Sequence, residues 1–489
     1  AATTGWADPP TGIDAREADM LGDDAEAAPA PPATPAPPAT PAPPATPATR
    51  GDATQPPAAA TATSAAGGSG VEDFGDARMA PVVLESAARD RLQIGGMLYL
   101  RNGFSLNDTD PLLSQPLTVS NLTDVYLDAR PSDRVRAFAR GRLLWTPTAG
   151  DATSAGLLGF TTGNSELSAQ LVELWIKFDV ARALYVTVGA QQVRFGATRL
   201  WNPVDVIYST RRSPLTLFDQ RTGLPMLKLH MPIEKLGWNA YLLGLADGAS
   251  NLRGIGLVGR LEMVVSTVEL GLLAKKRLGE NWRFGADASA GVGPFDLGAE
   301  LGMRLDAAGK GHWMASAKLE HSIAVGDNDT VIWGVEAFYN PDGKANLDAE
   351  LDAMEGFFGD LFLYTAGGSV GAAPVFPLQF FYTGRYYAAF FAAAMGPGSL
   401  DDTNFTFSAL SNLSDRSATV RLDVSQAVLQ HLRIEAYASV NLGDDGEFRF
   451  YMKGLRDRLG PAIVATGGDP SSFFKVPVGQ FGLNLRMSL

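Results

Sequence analysis

From Arg91 onward the chain alternates apolar and polar residues with a period of two, segment after segment, and that pattern admits few folds. Between Arg134 and Trp145, one alternate set holds Arg134, Arg136, Phe138, Arg140 and Arg142. The other holds Val135, Ala137, Ala139, Gly141, Leu143 and Trp145. A helix would scatter those arginines around its axis, whereas a strand sorts them onto one face. Leu171 to Val180 sets Glu173, Trp175, Lys177 and Asp179 against Val172, Leu174, Ile176 and Phe178. His431 to Leu442 sets Arg433, Glu435, Tyr437, Ser439 and Asn441 against six aliphatic residues. The last stretch, PVGQFGLNLRMSL from Pro477, alternates in the same way and is expected to close a barrel by pairing with the first strand.

About eighteen such segments follow one another. They start near Leu92, Leu117, Arg134, Glu166, Leu184, Gly223, Gly237, Arg253, Thr267, Trp282, Pro294, His312, Thr330, Phe381, Thr403, Ser417, His431 and Val478. Without the two weakest, near Phe381 and Thr403, the count is sixteen. The long connections, such as Ser105–Pro116, Thr146–Ser165, Arg199–Thr222, Asn340–Phe380 and Gly443–Pro477, all fall at odd positions in the series. The short ones, such as Pro131–Asp133, Ala181–Ala183, Pro232–Leu236 and Val265–Ser266, all fall at even positions. A membrane barrel with short inner turns and long outer loops segregates loop length in this way, and a soluble sandwich has no reason to. Residues 91–489 are therefore expected to form an all-β fold, a transmembrane antiparallel up-and-down barrel. Trp145, Trp238, Trp282, Trp313, Tyr339 and Phe481 stand on the apolar set, mostly near strand ends, where interfacial girdles are expected.

Composition narrows the classes further. A net charge of −13 argues against nucleic acid as a partner. The chain has no cysteine, which rules out disulfides and thiolate metal sites. It has no run of about 18 apolar residues that would make a membrane helix. A spanning chain without such helices must be a closed barrel, because lipid leaves unpaired backbone groups unsatisfied. Residues 1–70 are rich in Ala, Pro and Thr, with PPATPAP repeating through 31–47. They bury too little apolar surface to order and are expected to be a disordered periplasmic tail. A passive tether fits this composition best; the alternative is a reach to the cell wall or a periplasmic partner. Residues 71–90 read as a linker or a short helix around Val82–Arg89.

The polar set of the strands carries both signs of charge at a density that a dry interior would not tolerate unpaired. Arg136, Arg140, Arg142, Glu173, Lys177, Lys228, Arg260, Glu300, Arg304, Arg433, Glu435 and Arg486 are the pore-lining candidates. The arginines of 134–142 lie between segments carrying Asp124, Asp128, Glu173 and Asp179. Ion pairs that brace the wall are the first reading of that cluster, and an anion-steering ladder is the second. The fifth connection, within VGAQQVRFGATRLWNPVDVIYSTRRSPLTLFDQRTGLPM, combines the Asn202-Pro203 turn with a cluster of charges. Its apolar residues Leu215, Leu217 and Phe218 need a place to bury. Folding inward would provide one, and Asp205, Arg211, Arg212, Asp219 and Arg221 are the constriction candidates; a packed outer lid is the other reading.

The run Gln192-Val-Arg-Phe-Gly196 followed by Asn202-Pro-Val-Asp-Val206 resembles uncharacterised porin-like outer-membrane proteins of Gram-negative bacteria. The terminal alternation is similar to the assembly signal of such barrels. The resemblance implies outer-membrane lipid and the barrel-assembly machinery as partners. The strand count is similar as well to barrels that export polysaccharide.

No chemistry-bearing motif stands out. His230, His312, His321 and His431 lack ligand spacing, so no metal site is expected. Gly326-Asp-Asn-Asp329 lacks the closing glutamate of a calcium loop and reads as a turn. Asp348, Glu350, Asp352 and Glu355 read as a solvated helical face, with loose cation binding as the alternative. No nucleophile elbow, phosphate loop or dinucleotide fingerprint is present, so neither an enzyme nor a cofactor is expected. The function this implies is passive diffusion of small hydrophilic solutes through a charged lumen. The alternative is an export barrel that recruits periplasmic partners through the tail.

Overall fold

The computed structural model describes residues 91–148, 167–208, 211–215, 221–325, 329–365, 378–465 and 467–488. The expectations for residues 1–70 and 71–90, for Leu217, Phe218 and Asp219, and for the 326–329 turn apart from Asp329 lie outside the described residues.

Within them the alternating segments form one antiparallel sheet. The first strand, β1 (Leu92–Asn107), pairs with β2, which is Leu117–Val119 continued after Ser120 by Asn121–Ser132. Then come β3 (Val135–Trp145), β4 (Leu167–Val180), β5 (Leu184–Gln191), β6 (Leu224–Ile233), β7 (Trp238–Leu245) and β8 (Gly256–Val265). They are followed by β9 (Val268–Lys276), β10 (Arg283–Val292), β11 (Phe295–Leu305), β12 (Gly311–Val325) and β13 (Asp329–Tyr339). The series ends with β14 (Tyr386–Met395), β15 (Thr403–Asn412), β16 (Ser417–Leu429), β17 (Leu432–Leu442) and β18 (Pro477–Ser488). Each strand pairs with the next, and β18 returns to β1 with Met97 opposite Ser488 and Gly103 opposite Gly482, so the sheet closes. The count is eighteen, not sixteen.

Three local readings need correction. The eighth strand starts at Gly256 rather than Arg253, because the Asn251 side chain accepts from Arg253 N and holds 252–254 in a short 3-10 turn. The fourteenth starts at Tyr386 rather than Phe381. The segment before it folds inward, where Asn340 Nδ2 donates to Tyr382 O at 2.8 Å. In β4 a bulge opposite Arg140/Gly141 takes Val172 off the apolar face, so it is buried beside Glu173.

Loop length segregates across the two ends as expected. The turns after even-numbered strands are short, and 396–402 is the longest. The odd-numbered side carries 192–223, 340–385 and 443–476, and two of these contain helices: α1 (Leu347–Thr365), α2 (Met452–Ala465) and α3 (Pro470–Phe473). Leu351 and Met354 of α1 bury against Tyr451, Met452, Leu455, Phe474 and Val476, forming an apolar cap on that side. The acidic face of α1 is not simply solvated. Arg458 of α2 reaches Asp352 at 2.6 Å, Glu355 at 3.2 Å and Asp348 at 3.5 Å.

The outward faces leave Leu127, Leu143, Leu174, Ile176, Val188, Leu227, Leu242, Leu272, Leu301, Leu422 and Leu483 exposed around the wall. A monomer in water rarely exposes so continuous an apolar surface. Trp145, Trp282, Trp313, Tyr339 and Tyr386 are exposed at the odd-connection ends of their strands, as an interfacial girdle requires, while Trp238 stands at the opposite end and is half-buried. No described helix is long and apolar enough to cross a membrane. The architecture is a closed, eighteen-stranded, up-and-down transmembrane β-barrel.

Candidate functional site: inward-facing charges and an inward connection

The side chains facing the lumen are mostly paired. Arg142 clasps Asp124 with two bonds of 2.7 and 2.8 Å, and Arg136 clasps Asp128 with two of 2.9 and 2.8 Å. Arg140 approaches Asp124 at 3.7 Å. On the closing strands, Glu435 takes Arg486 at 2.8 Å and the Tyr99 hydroxyl at 2.8 Å. Arg433 lies opposite Arg486 in the register and is half-buried. Arg260 holds Glu262 at 2.7 Å and Asp287 at 2.8 Å, and Arg304 holds Asp342 at 2.9 Å. Glu173 is buried and accepts from Gln192 N, while the Lys177 ammonium sits 5.1 Å from the Tyr185 ring centre; Lys228 is buried as well. The inward arginines of β3 are thus braces of the wall, and Arg140 and Arg142 are buried.

In the connection between β5 and β6, the described residues 192–208 and 211–215 pack on the inward face of β7–β14. Its anchors are two glutamates of the wall. Glu300 of β11 accepts from Thr198 N at 2.7 Å, Thr198 Oγ1 at 2.6 Å and Val204 N at 3.1 Å. Glu336 of β13 accepts from three successive amides, Arg199 N, Leu200 N and Trp201 N, at 2.9, 3.0 and 2.8 Å. Lys275 of β9 donates to Val206 O at 2.8 Å. Unpaired backbone N–H and C=O groups would be costly in such a place, and the wall charges satisfy them.

Apolar contacts follow the same line. Trp201 is fully buried, stacked on Phe338 with centroids 5.6 Å apart and tilted against Tyr387 at 5.5 Å. Its indole Nε1 donates to Phe381 O at 3.0 Å. Val193, Phe195, Val204, Val206, Ile207 and Tyr208 bury against Tyr241, Leu243, Leu245, Val258 and Leu273 of the wall. The inward face of β11 is stripped to glycine where the loop touches it. A Cβ on Gly302 would meet Pro203 O at 2.3 Å, and one on Gly298 would meet Ala197 O at 2.7 Å.

The loop presents its own charges to a narrow cleft lined by Arg194, Asn202, Asp205, Arg211, Arg212, Arg221 and Tyr382. Arg221 pairs with Asp205 at 2.8 Å and lies over the Tyr208 ring. Arg211 lies over Tyr382, with its guanidinium carbon 4.7 Å from the ring centre. Arg212 is buried. Four of the constriction candidates, Asp205, Arg211, Arg212 and Arg221, therefore gather in one place, and Arg194 joins them.

Several participants are not among the sequence candidates. Glu336 and Lys275 are inward charges like a dozen others, and nothing in their spacing marks them as anchors. Tyr382, Phe381 and Tyr387 come from the neighbourhood of the weakest strand. The readable signal is the alternation Asp296, Gly298, Glu300, Gly302, Arg304, an inward face whose small residues leave room for a guest. Among the described residues, no group of three metal-ligating side chains is poised around a metal position.

No family model matches the sequence, and no curated protein matches it. Among solved structures, a BenF-like porin from Pseudomonas fluorescens is similar with 12% identity and a TM-score of 0.48. That match covers 81% of this chain and 99% of that one. OccK11 from Pseudomonas aeruginosa is similar with 9% identity and a TM-score of 0.46, covering 81% and 96%. A triple-mutant porin from Rhodopseudomonas blastica gives 11% and 0.40, covering 81% and 100%.

Proposed function

We propose that the chain is a non-enzymatic outer-membrane channel for passive diffusion of small hydrophilic solutes, in which connection 192–223 narrows the lumen and favours anions. The observation that carries this reading is the inward loop itself. It is anchored by Glu300 and Glu336, and it turns four arginines and one aspartate toward a single cleft. Where low-dielectric walls focus the field, an excess of one sign raises the local concentration of the opposite ion. The paired residues of β2–β4 and β17–β18 stand on the remaining inner wall, where their mutual ion pairs keep buried charge tolerable.

The test is purified protein in planar bilayers under a salt gradient. Wild type should conduct steadily and select anions over cations. Arg211→Glu with Arg212→Glu should lower or reverse that selectivity. Unchanged conductance and selectivity in the double variant would remove the constriction reading. One observation favours the export alternative, namely the apolar cap built from α1, α2 and α3 on the outer side. A barrel that stays sealed until a periplasmic partner is added would support it. Outer-membrane lipid and the assembly machinery are the partners that the barrel reading carries with it.

A further inference from the structure

Beneath the outer cap lies a group of carboxyls that the conduction pathway does not use. Glu350 of α1 and Glu447 of connection 443–476 are fully buried, and Asp415 of the β15–β16 turn is nearly so. All three converge on the Asn412 carboxamide, whose Nδ2 lies 3.3 Å from Glu350 Oε1, 3.0 Å from Asp415 Oδ2 and 3.1 Å from Glu447 Oε2. Thr383 Oγ1 is a fourth acceptor at 3.4 Å. An amide nitrogen has two hydrogens, so it cannot satisfy four acceptors. Glu350 Oε2 is buried with no donor, and among the described residues no arginine, lysine or histidine pairs with any of the three carboxyls. The other polar groups around them are the hydroxyls of Tyr387, Thr383 and Tyr451, the amides of Ser417 and Phe381, and the neighbouring Asp445. None of these supplies a positive charge.

The cluster also touches the constriction. Glu447 accepts from Phe381 N and from the Tyr387 hydroxyl, and Trp201 of the inward loop is held by Phe381 O and packed on Tyr387. Asp415 accepts from Glu447 N at 2.7 Å, so the β15–β16 turn and connection 443–476 are tied at the same point. We propose that Glu350, Asp415 and Glu447 form a proton-held latch that fastens connections 340–385, 413–416 and 443–476 to one another and to the back of the constriction. Its consequence for conduction rests on the proposed channel function, whereas the latch itself does not.

Burial, reinforced by Asp415, raises the Glu350 carboxyl to about 9, and burial raises Glu447 to about 8. Burial raises Asp415 as well. A carboxyl whose folded value is raised stabilises the closed arrangement fully below the ordinary carboxylate range, and that contribution is lost as pH climbs through the folded value. The latch is therefore tightest at acid pH, weakens as pH climbs above the ordinary carboxylate range, and has lost its proton-held stability once pH passes about 8 to 9, when like charges meet in a space with no counter-ion.

The experiment is amide hydrogen exchange of the full chain in detergent or bilayer, corrected for the intrinsic pH dependence of exchange. Protection of residues 347–358 and 447–455 should fall at least about tenfold between pH 7 and pH 10, the fall expected from a single carboxyl that titrates near 8 in the closed cap and in the ordinary range in the open one. Protection of β9–β12 should stay constant. Glu350→Gln removes the carboxyl with the highest value and places an N–H toward Asp415 at every pH, so the fall should become smaller and be complete near pH 8. Glu350→Gln with Glu447→Gln should abolish it. Equal protection of the cap in wild type from pH 7 to pH 10, or the same fall in the double variant, would overturn the latch. Conductance is read alongside: a barrel that conducts at no pH, yet loses cap protection on schedule, would sink the channel reading and leave the latch standing.

Discussion

A carboxylate in the wall of this barrel does two different jobs, depending on what stands opposite. Asp124 and Asp128 face arginines one strand away and close the β2–β3 seam. Glu300 and Glu336 face no arginine of comparable approach; they take backbone amides of the inward loop instead. The residues between them decide whether a loop fits there at all. Gly298 and Gly302 flank Glu300 on the inward face of β11, and main-chain oxygens of the loop occupy the space their side chains would fill. Gly302→Val should therefore displace the 197–204 segment without disturbing the strand, since β-branched residues suit strands. We expect a larger single-channel conductance with unchanged heat-modifiable gel mobility. Conductance identical to wild type would show that the contact between Pro203 and Gly302 does not set the width.

At the scale of elements, the strands were legible and the connections were not, for a physical reason. A strand with lipid on one side and a lumen on the other must alternate, so periodicity alone places all eighteen, most within a residue or two of their first residues. Of the two weakest segments, the one near Thr403 starts at Thr403 as expected, and the one near Phe381 shows where periodicity fails. Before Tyr386 the chain leaves the wall to reach Trp201 and Glu447, contacts made by residues far away in sequence that no local pattern encodes. Val172 fails for a related reason, because a bulge shifts parity without leaving a mark in the composition. The inward course of 192–223 follows from its apolar residues needing burial, yet the identity of its anchors depends on strands a hundred residues downstream. Replacing residues 194–207 by a short Gly-Ser linker should remove Arg194, Asn202 and Asp205 from the cleft together with the Trp201 anchor. Conductance should then rise at least about twofold and anion preference should fall toward neutrality. A variant that keeps both values would place the narrowest point elsewhere.

Among the described residues the barrel wall is an inside-out arrangement, with paired charges on its inner face and aliphatic side chains on its outer face. That inversion can be tested by one pair of substitutions. Leu272 lies mid-strand on the outward face of β9, half exposed and flanked across the sheet by Leu261 and Ala286. Thr406 lies on the inward face of β15, opposite Asp423, which Arg421 already engages at 2.6 Å. In a soluble sheet an exposed leucine accepts arginine without loss, and a new charge on an enclosed face is the damaging change. In a barrel embedded in lipid the order reverses. Leu272→Arg should lose about 2–4 kcal/mol when folding into lipid vesicles is titrated with denaturant, the range for arginine on a lipid-facing strand near mid-depth. Thr406→Lys should stay near wild type, because water and Asp423 both receive its ammonium. If the arginine at 272 were neutral and the lysine at 406 disruptive, the outward face would not be a lipid face, whatever the strand count.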